Sequence, residues 1–276
     1  MRVPSMDEIM DVAQSQGAVS EAPWLWDGLV FAAPLQEGSG YAVRDACRVD
    51  DVGALVNTTT TEGWSLGVNG RALALQNSGR VEFLRFPVLR LEDSPTISVW
   101  LRPLSTEQYA RVIFGHNQDG GVRMLVKLYE TQPNQLVSQW LTTGTKTVAM
   151  NIVPISFGQW IHAVTMPHNV ASMHHIYING SLAAGSASSY TITGDTSVSS
   201  IAGIGRYPES RSGLDGQVSN VAIWRRRLSP ADVAFLYADP WAMYRLRRRV
   251  YAVPRIPVFI KRRSLGLRAG SREAVI

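Results

Sequence analysis

About a dozen short runs of strand-forming residues follow one another between Leu29 and Trp224, with no long helical period between them. They are Leu29–Pro34, Ala72–Leu75, Val81–Phe83, Thr96–Leu101, Arg111–Phe114, Val122–Tyr129, Gln135–Leu141, Thr147–Ile152, Trp160–Met166, His175–Ile178, Ile201–Ile204 and Val218–Trp224. Gly, Asn, Pro and Ser punctuate them. A parallel sheet would need a helix after nearly every strand, so this spacing predicts an all-β antiparallel sandwich. In Thr96–Leu101, residues Ile97, Val99 and Leu101 fall on one face by the two-residue period of a strand. Asn179-Gly180, between His175–Ile178 and Ser181–Ala184, is the signature of a two-residue hairpin turn.

A sandwich of that size needs apolar material, and the chain has it. Hydrophobic residues make up 45% of its 276 residues and charged ones 18%, too little charge for a disordered chain. No apolar run is long enough to span a bilayer. Met1-Arg2-Val3-Pro4-Ser5-Met6-Asp7-Glu8 lacks the apolar core of a secretory signal. Cys47 is the single cysteine, so no intrachain disulfide forms, and its expected place is a small buried apolar site.

Both ends of the chain differ from the middle. Ser5-Met6-Asp7-Glu8 has the spacing of a capping box, and Met6, Ile9, Met10 and Ala13 follow at helical intervals, with Gly17 as the stop. A helix this short does not persist alone in water and must dock on something. A second helix starts at the N-cap Ser229 with Pro230 at its first position and Asp232 against its dipole. Val233, Leu236 and Tyr237 give it one apolar stripe, and Asp239-Pro240 ends it. The expected division is an N-terminal arm over 1–27, a sandwich over 28–240 and an extended basic C-terminal arm over 241–276.

At this level of detail the chain resembles the concanavalin A-like, laminin G-like jelly-roll domains. The residues that carry the resemblance are Gly28–Leu35 with Glu37-Gly38-Ser39-Gly40 and Arg44-Asp45, Thr96–Leu101 ending in Trp100, and Gly158–Val164 with Trp160 and His162. Ile176–Gly180, and Ile204–Arg206 followed by Leu214–Val218 and Val221–Ser229, complete the set. The resemblance implies a jelly-roll sandwich of two antiparallel sheets. It leaves function open, because the fold hosts lectins, glycosidases, adhesion modules and virion proteins. One departure stands out: the family's last strand usually carries acidic residues after the position of Val218, and here Ser219 and Asn220 stand there.

The residues offer little for catalysis. Glycosidases need two carboxylates flanking the scissile bond, but Asp50-Asp51 and Glu92-Asp93 are adjacent and point to opposite faces of a strand. His162 falls in a core strand and reads as structural, and His174-His175 diverge, so they make no metal pair. Gly203-Ile204-Gly205 has no helix after it and is no dinucleotide fingerprint. No cofactor is expected. Calcium is the metal this fold often uses; Asp45, Asp50, Asp51, Asn57 and Asp215 are the loop oxygens within its chemistry, and surface turn acids are the commoner explanation of them. Sugar binding would use an exposed aromatic beside polar forks, for which Trp64 and the loop with Arg206, Tyr207 and Arg211 are the candidates.

Charge is partitioned along the chain. Trp241–Ile276 holds nine Arg, one Lys and one Glu, a net of +9; of the 27 basic and 22 acidic residues in all, 17 and 21 remain for residues 1–240, a net of −4. Arg245, Arg247, Arg248 and Arg249 form one cluster, and Lys261, Arg262 and Arg263 a second. Between them lie Tyr251, Ile256, Val258 and Phe259, too apolar for a solvated linker. The arm is open to three readings: pairing with a neighbouring subunit's sheet, contact with nucleic acid through phosphates, or no fixed partner. The interleaved Val, Ile, Pro and Phe suit a protein surface better than nucleic acid. A laminin G-like domain without signal or disulfide leads to the expectation of a homo-oligomeric bacteriophage virion protein. It would be made in the host cytoplasm, as a capsid decoration or head-fibre-like protein that contacts capsid or sister subunits through its arms and no membrane. The alternative is a carbohydrate-binding adhesin or tail module, and an enzyme is not expected.

Overall fold

The computed structural model describes residues 2–57, 63–68, 70–76, 79–86, 89, 94–104, 111–118, 123–128, 134–141, 147–168, 174–184, 188–189, 200–205 and 213–247. Among them are seventeen strands in two antiparallel sheets. The first sheet holds β1 (Leu29–Ala33), β4 (Trp64–Gly67), β5 (Gly70–Leu75), β7 (Thr96–Pro103), β12 (Ile161–Met166), β13 (His175–Ile178), β14 (Ser181–Ala184) and β17 (Gly216–Trp224). Its order is β14-β13-β12-β7-β17-β5-β4, and β1 also pairs with β17. The second holds β2 (Ala42–Asp45), β3 (Arg48–Val56), β6 (Arg80–Phe86), β8 (Arg111–Gln118), β9 (Arg123–Leu128), β10 (Gln135–Leu141), β11 (Thr147–Pro154), β15 (Ser188–Ser189) and β16 (Ser200–Ile204). Its order is β15-β11-β10-β9-β8-β16-β6-β3-β2.

Between the sheets lies a core of alternate side chains. Ile97, Val99 and Leu101 of β7 face it together, as their spacing requires, and meet Leu73, Leu75, Val81 and Phe83 among others. Phe31 anchors an aromatic group there, edge-on to Phe83 at 4.9 Å and tilted against Phe86 at 5.2 Å. Asn179 and Gly180 both take positive φ, 50° and 80°, the geometry of a type I′ hairpin turn between β13 and β14.

The opposite face of the first sheet is also covered. All but one residue of β7 are buried, because a third layer lies over the outward side chains. Helix α1 (Met6–Gln14), the 3-10 turn Pro23–Trp26, helix α2 (Pro230–Ala238) and the 3-10 turn Ala242–Tyr244 form that layer. Ile9, Leu25, Val233, Trp241 and Tyr244 of these segments pack with Val164, Met166, Tyr177 and Trp224 of the sheet. Thr96, buried on this face, is paired twice: its Oγ1 donates to the Arg226 carbonyl (2.8 Å) and accepts from the Leu228 amide (3.1 Å). Gly17, at φ +78°, ends the turn after α1, and a Cβ there would lie 1.9 Å from Trp26 Cγ. Only glycine fits both the backbone and the ring.

The N-terminal segment docks, as so short a helix must: Ile9 and Val12 are fully buried in the outer layer. The expected C-terminal boundary of the body needs correction. Trp241–Leu246, assigned to the extended arm, belong to the body for the same reason: Trp241 and Tyr244 have no exposed surface. The body therefore runs past residue 240, and the arm proper lies outside the described residues. Tyr237 also leaves the buried stripe of α2, for it is 41% exposed. Trp241→Ala should therefore cost about 3–5 kcal/mol, measured as a Tm fall on the order of 10 °C, whereas Arg247→Ala should leave Tm unchanged.

Candidate functional site

Of the four expected ligand residues, Trp64 lies among the described ones. Trp64 is buried in the core, and its Nε1 donates to the Gly40 carbonyl at 3.0 Å. It presents no open ring for a sugar, a correction that follows from its place on β4, where it points into the sandwich. Arg206, Tyr207 and Arg211 lie outside the described residues, as do Arg248, Arg249, Tyr251, Ile256, Val258, Phe259, Arg262 and Arg263. Arg247 is described and exposed.

What the structure does assemble is a clasp of the two chain ends. Residues 19–21 and 245–247 form a short antiparallel bridge, with Glu21 N donating to the Arg245 carbonyl (2.9 Å) and Arg247 N to the Val19 carbonyl (2.7 Å). Arg245 is the hub. Its Nε donates to Glu21 Oε2 (2.7 Å) and its Nη1 to Asp239 Oδ1 (3.0 Å), joining the N-terminal segment, the end of α2 and the C-terminal segment. Burial pulls its pKa down, but hydrogen bonds to Asp239 and Glu21 outweigh this and hold it above the usual arginine value. Glu8 forms a second tie, accepting both Nη groups of Arg2 at 2.6 Å and the Leu246 amide at 2.9 Å. The Arg2 hydrogen bonds hold the Glu8 carboxyl below its usual range.

The departure at Ser219-Asn220 finds its reason here. Asn220 sits at φ +45° in a bulge of β17. Its Nδ2 donates to the Pro240 carbonyl (3.2 Å) and its Oδ1 accepts from Tyr244 Oη (3.2 Å). A carboxylate could accept from Tyr244 but could not donate to Pro240. The neutral amide at this position seats the C-terminal segment on the sheet. Two indoles reinforce it: Trp26 Nε1 donates to the Met243 carbonyl (2.7 Å), and Trp224 Nε1 to the Leu25 carbonyl (2.6 Å).

Asp45 and Asp51, considered for calcium, are engaged within the protein. Asp45 is 1% exposed, and its Oδ1 accepts the amides of Ala32 and Cys47, both at 2.9 Å, clipping β1 to the β2–β3 turn. Asp51 faces Arg48 at 3.5 Å, and Asp50 is exposed. Among the described residues, no three His, Cys, Asp or Glu side chains cluster as metal ligands. Burial pushes the Asp45 carboxyl up to about 6 and raises the Cys47 thiol, which is half-buried beside it. His162, His174 and His175 are each held by a neighbouring side chain. His162 Nε2 pairs with Ser98 Oγ (2.8 Å), and burial depresses its pKa to about 3. His174 turns inward against Ser138, while His175 meets Arg227.

One polar row remains open on the outer face of the first sheet. Arg102 Nε donates to the Gly158 carbonyl (2.7 Å), its Nη1 to Gln217 Oε1 (3.4 Å), and Gln217 Nε2 to Ser65 Oγ (2.9 Å). Half-buried Trp160 stands next to Arg102 in the register of β12 on β7. Nothing in the sequence marked this row, because its members come from three separated strands.

Residues 75–234 match the family model of the concanavalin A-like lectin/glucanases superfamily, and the chain belongs to that superfamily. Among solved structures it is similar to domain 4 of the extracellular arabinanase AbnA of Geobacillus stearothermophilus, determined with arabinotriose. The TM-score is 0.58 at 16% identity, covering 76% of this chain and 98% of that domain. It is also similar to Trypanosoma rangeli sialidase, with a TM-score of 0.53 at 14% identity, covering 78% of this chain but only 33% of the enzyme. These likenesses are of fold. No curated protein matches the chain by sequence. Among the described residues, no helix is long and apolar enough to cross a membrane.

Asp45 gives a signed prediction. Its pKa is higher folded, about 6, than its ordinary 3.8, so the folded state binds the proton more tightly and stability falls as pH rises between those values. Asn in its place keeps the oxygen that both amides need. Asp45→Asn should therefore gain stability relative to wild type on going from pH 4 to pH 7, by on the order of 2 kcal/mol, in paired urea titrations at each pH.

Proposed function

We propose that the chain is a non-enzymatic structural protein of a virion, a capsid decoration or head-fibre-like protein of a bacteriophage. It is fixed to the particle through its C-terminal segment and shows its sandwich outward. The observation that carries this reading is the Arg245 clasp. It ties the strongly basic C-terminal segment to the N-terminal segment, to α2 and, through Tyr244, to β17. Force on that segment passes into the whole sandwich instead of peeling off one strand. The charge partition, with a basic segment on an acidic body, supports attachment at the basic end. Against catalysis stands the employment of the buried Asp45 carboxylate, which accepts two backbone amides. A chain ending at Arg247 should keep the Tm of the full chain and lose association with particles in co-sedimentation. Association undiminished by that truncation would sink the proposal.

A second reading is carbohydrate binding. The likeness to an arabinanase domain determined with arabinotriose supports it, and the open row Ser65, Gln217 and Arg102 beside Trp160 supplies planar hydrogen-bonding forks next to an aromatic ring. If this row holds a glycan, an array should give hits that Arg102→Ala removes. An array without hits for the wild-type chain counts against it.

A further inference from the structure

The outer face of the first sheet is divided between two surfaces. Over β12, β13 and the second half of β17 the third layer covers apolar side chains such as Val164, Tyr177 and Trp224. Toward the opposite ends of the strands the side chains change character. Arg102 of β7, Gln217 of β17, Ala74 of β5 and Ser65 of β4 are half-buried there. The residues next to them in sequence, Leu101, Val218, Leu73 and Trp64, belong to the core between the sheets. Strand alternation therefore puts this set on the outer face. Gln217 pairs with both Arg102 and Ala74, which fixes their order across the sheet. Trp160, next to Ile161 in the register of β12 on β7, closes the row at the β12 end.

Arg102 differs from the arginines of the clasp. Its Nε donates to the Gly158 carbonyl and its Nη1 to Gln217 Oε1, two neutral acceptors that hold the guanidinium in one plane. Arg2, Arg48, Arg80, Arg226 and Arg245 each meet a carboxylate within 3.5 Å. Among the described residues no carboxylate does this for Arg102; Asp215, two positions before Gln217, makes no ion pair with it. A guanidinium drawn partly out of water without a counter-charge gains most from an anion that reaches it, and its planar fork fits a carboxylate. The Trp160 indole is likewise unengaged: among the described residues no ring contact or hydrogen bond occupies it.

We propose that this row binds a glycan through an acidic sugar, with the sugar carboxylate on Arg102, its ring face against Trp160, and neighbouring hydroxyls on Gln217 and Ser65. The inference rests on the carbohydrate-binding reading above and names the class of sugar. A neutral sugar would leave the Arg102 charge uncompensated. A polyanion such as nucleic acid is held by several cations at once, whereas the row has one, on a body whose net charge is −4 over residues 1–240. From β12 to β4 the row crosses four strand spacings, about 19 Å, more than one sugar ring covers. Ala74 keeps the floor low between Gln217 and Ser65, so the saccharide chain can lie across the strands.

The test is an array on which each uronate- or sialate-bearing glycan is printed beside its methyl ester, probed with the full chain and with full-length Arg102→Gln and Trp160→Ala. Esterification removes the charge from the ligand and leaves the protein untouched. Acidic glycans should bind, and their esters should bind roughly tenfold or more weakly. Arg102→Gln should bring each acid down to the level of its ester, while Trp160→Ala should weaken both members of a pair alike. Equal binding of acid and ester, or a preference for the acid that survives Arg102→Gln, would overturn the inference and leave the carbohydrate reading standing. An array with no hits would overturn both. Acidic hits displaced by double-stranded DNA as readily as by the free glycan would mark general polyanion binding and would overturn the inference as well.

Discussion

A sheet that is apolar on both faces cannot stand between one core and water, and this constraint organises the molecule. The inner face of the first sheet meets the second sheet, as in any sandwich. Its outer face carries Val164, Met166, Tyr177 and Trp224, and these must be covered. Both ends of the chain supply the cover, so the terminal segments are structural parts of the body. Their polar backbone groups cannot be left unpaired under that layer. The indole hydrogen bonds of Trp26 and Trp224 and the amide of Asn220 satisfy some of them.

The clasp adds electrostatics to burial. Arg245 is shared by two carboxylates on different segments, a geometry in which one guanidinium fixes three pieces of chain at once. Its acidic partners lie outside Trp241–Ile276, Asp239 six positions before it and Glu21 224 positions before it, which is why the composition of the C-terminal segment alone gave no hint of it. In the linear sequence Arg245 was one member of a basic cluster. In the fold it is the neutralised member, and Arg247 beyond it is exposed.

Much of the architecture was legible. The hairpin at Asn179-Gly180, the strands Gln135–Leu141 and His175–Ile178 and both helix caps stand where local chemistry put them. Four strands escaped notice: β2, β3, β4 and the two-residue β15. In β3, Asp50-Asp51 and Gly53 interrupt the apolar alternation, and the β2–β3 turn is made by the buried Asp45 carboxylate instead of a recognisable turn residue. The site was harder. Trp64 read as an available aromatic because sequence does not say which way a strand residue points, and Tyr237 read as buried for the same reason on a helix. The part played by Asn220 depends on Pro240 and Tyr244, which only the folded chain brings to it.

The indole and guanidinium ties join residues about two hundred positions apart: Trp224 to Leu25, Trp26 to Met243 and Arg245 to Glu21. Contacts of this separation close late, because the loop they define must first be drawn in. During synthesis α1 precedes by more than two hundred residues the turn at Ala242–Tyr244 that covers part of it. Until that turn emerges, the outer face of the first sheet lacks part of its lid, and the strands already made carry an apolar surface open to other chains.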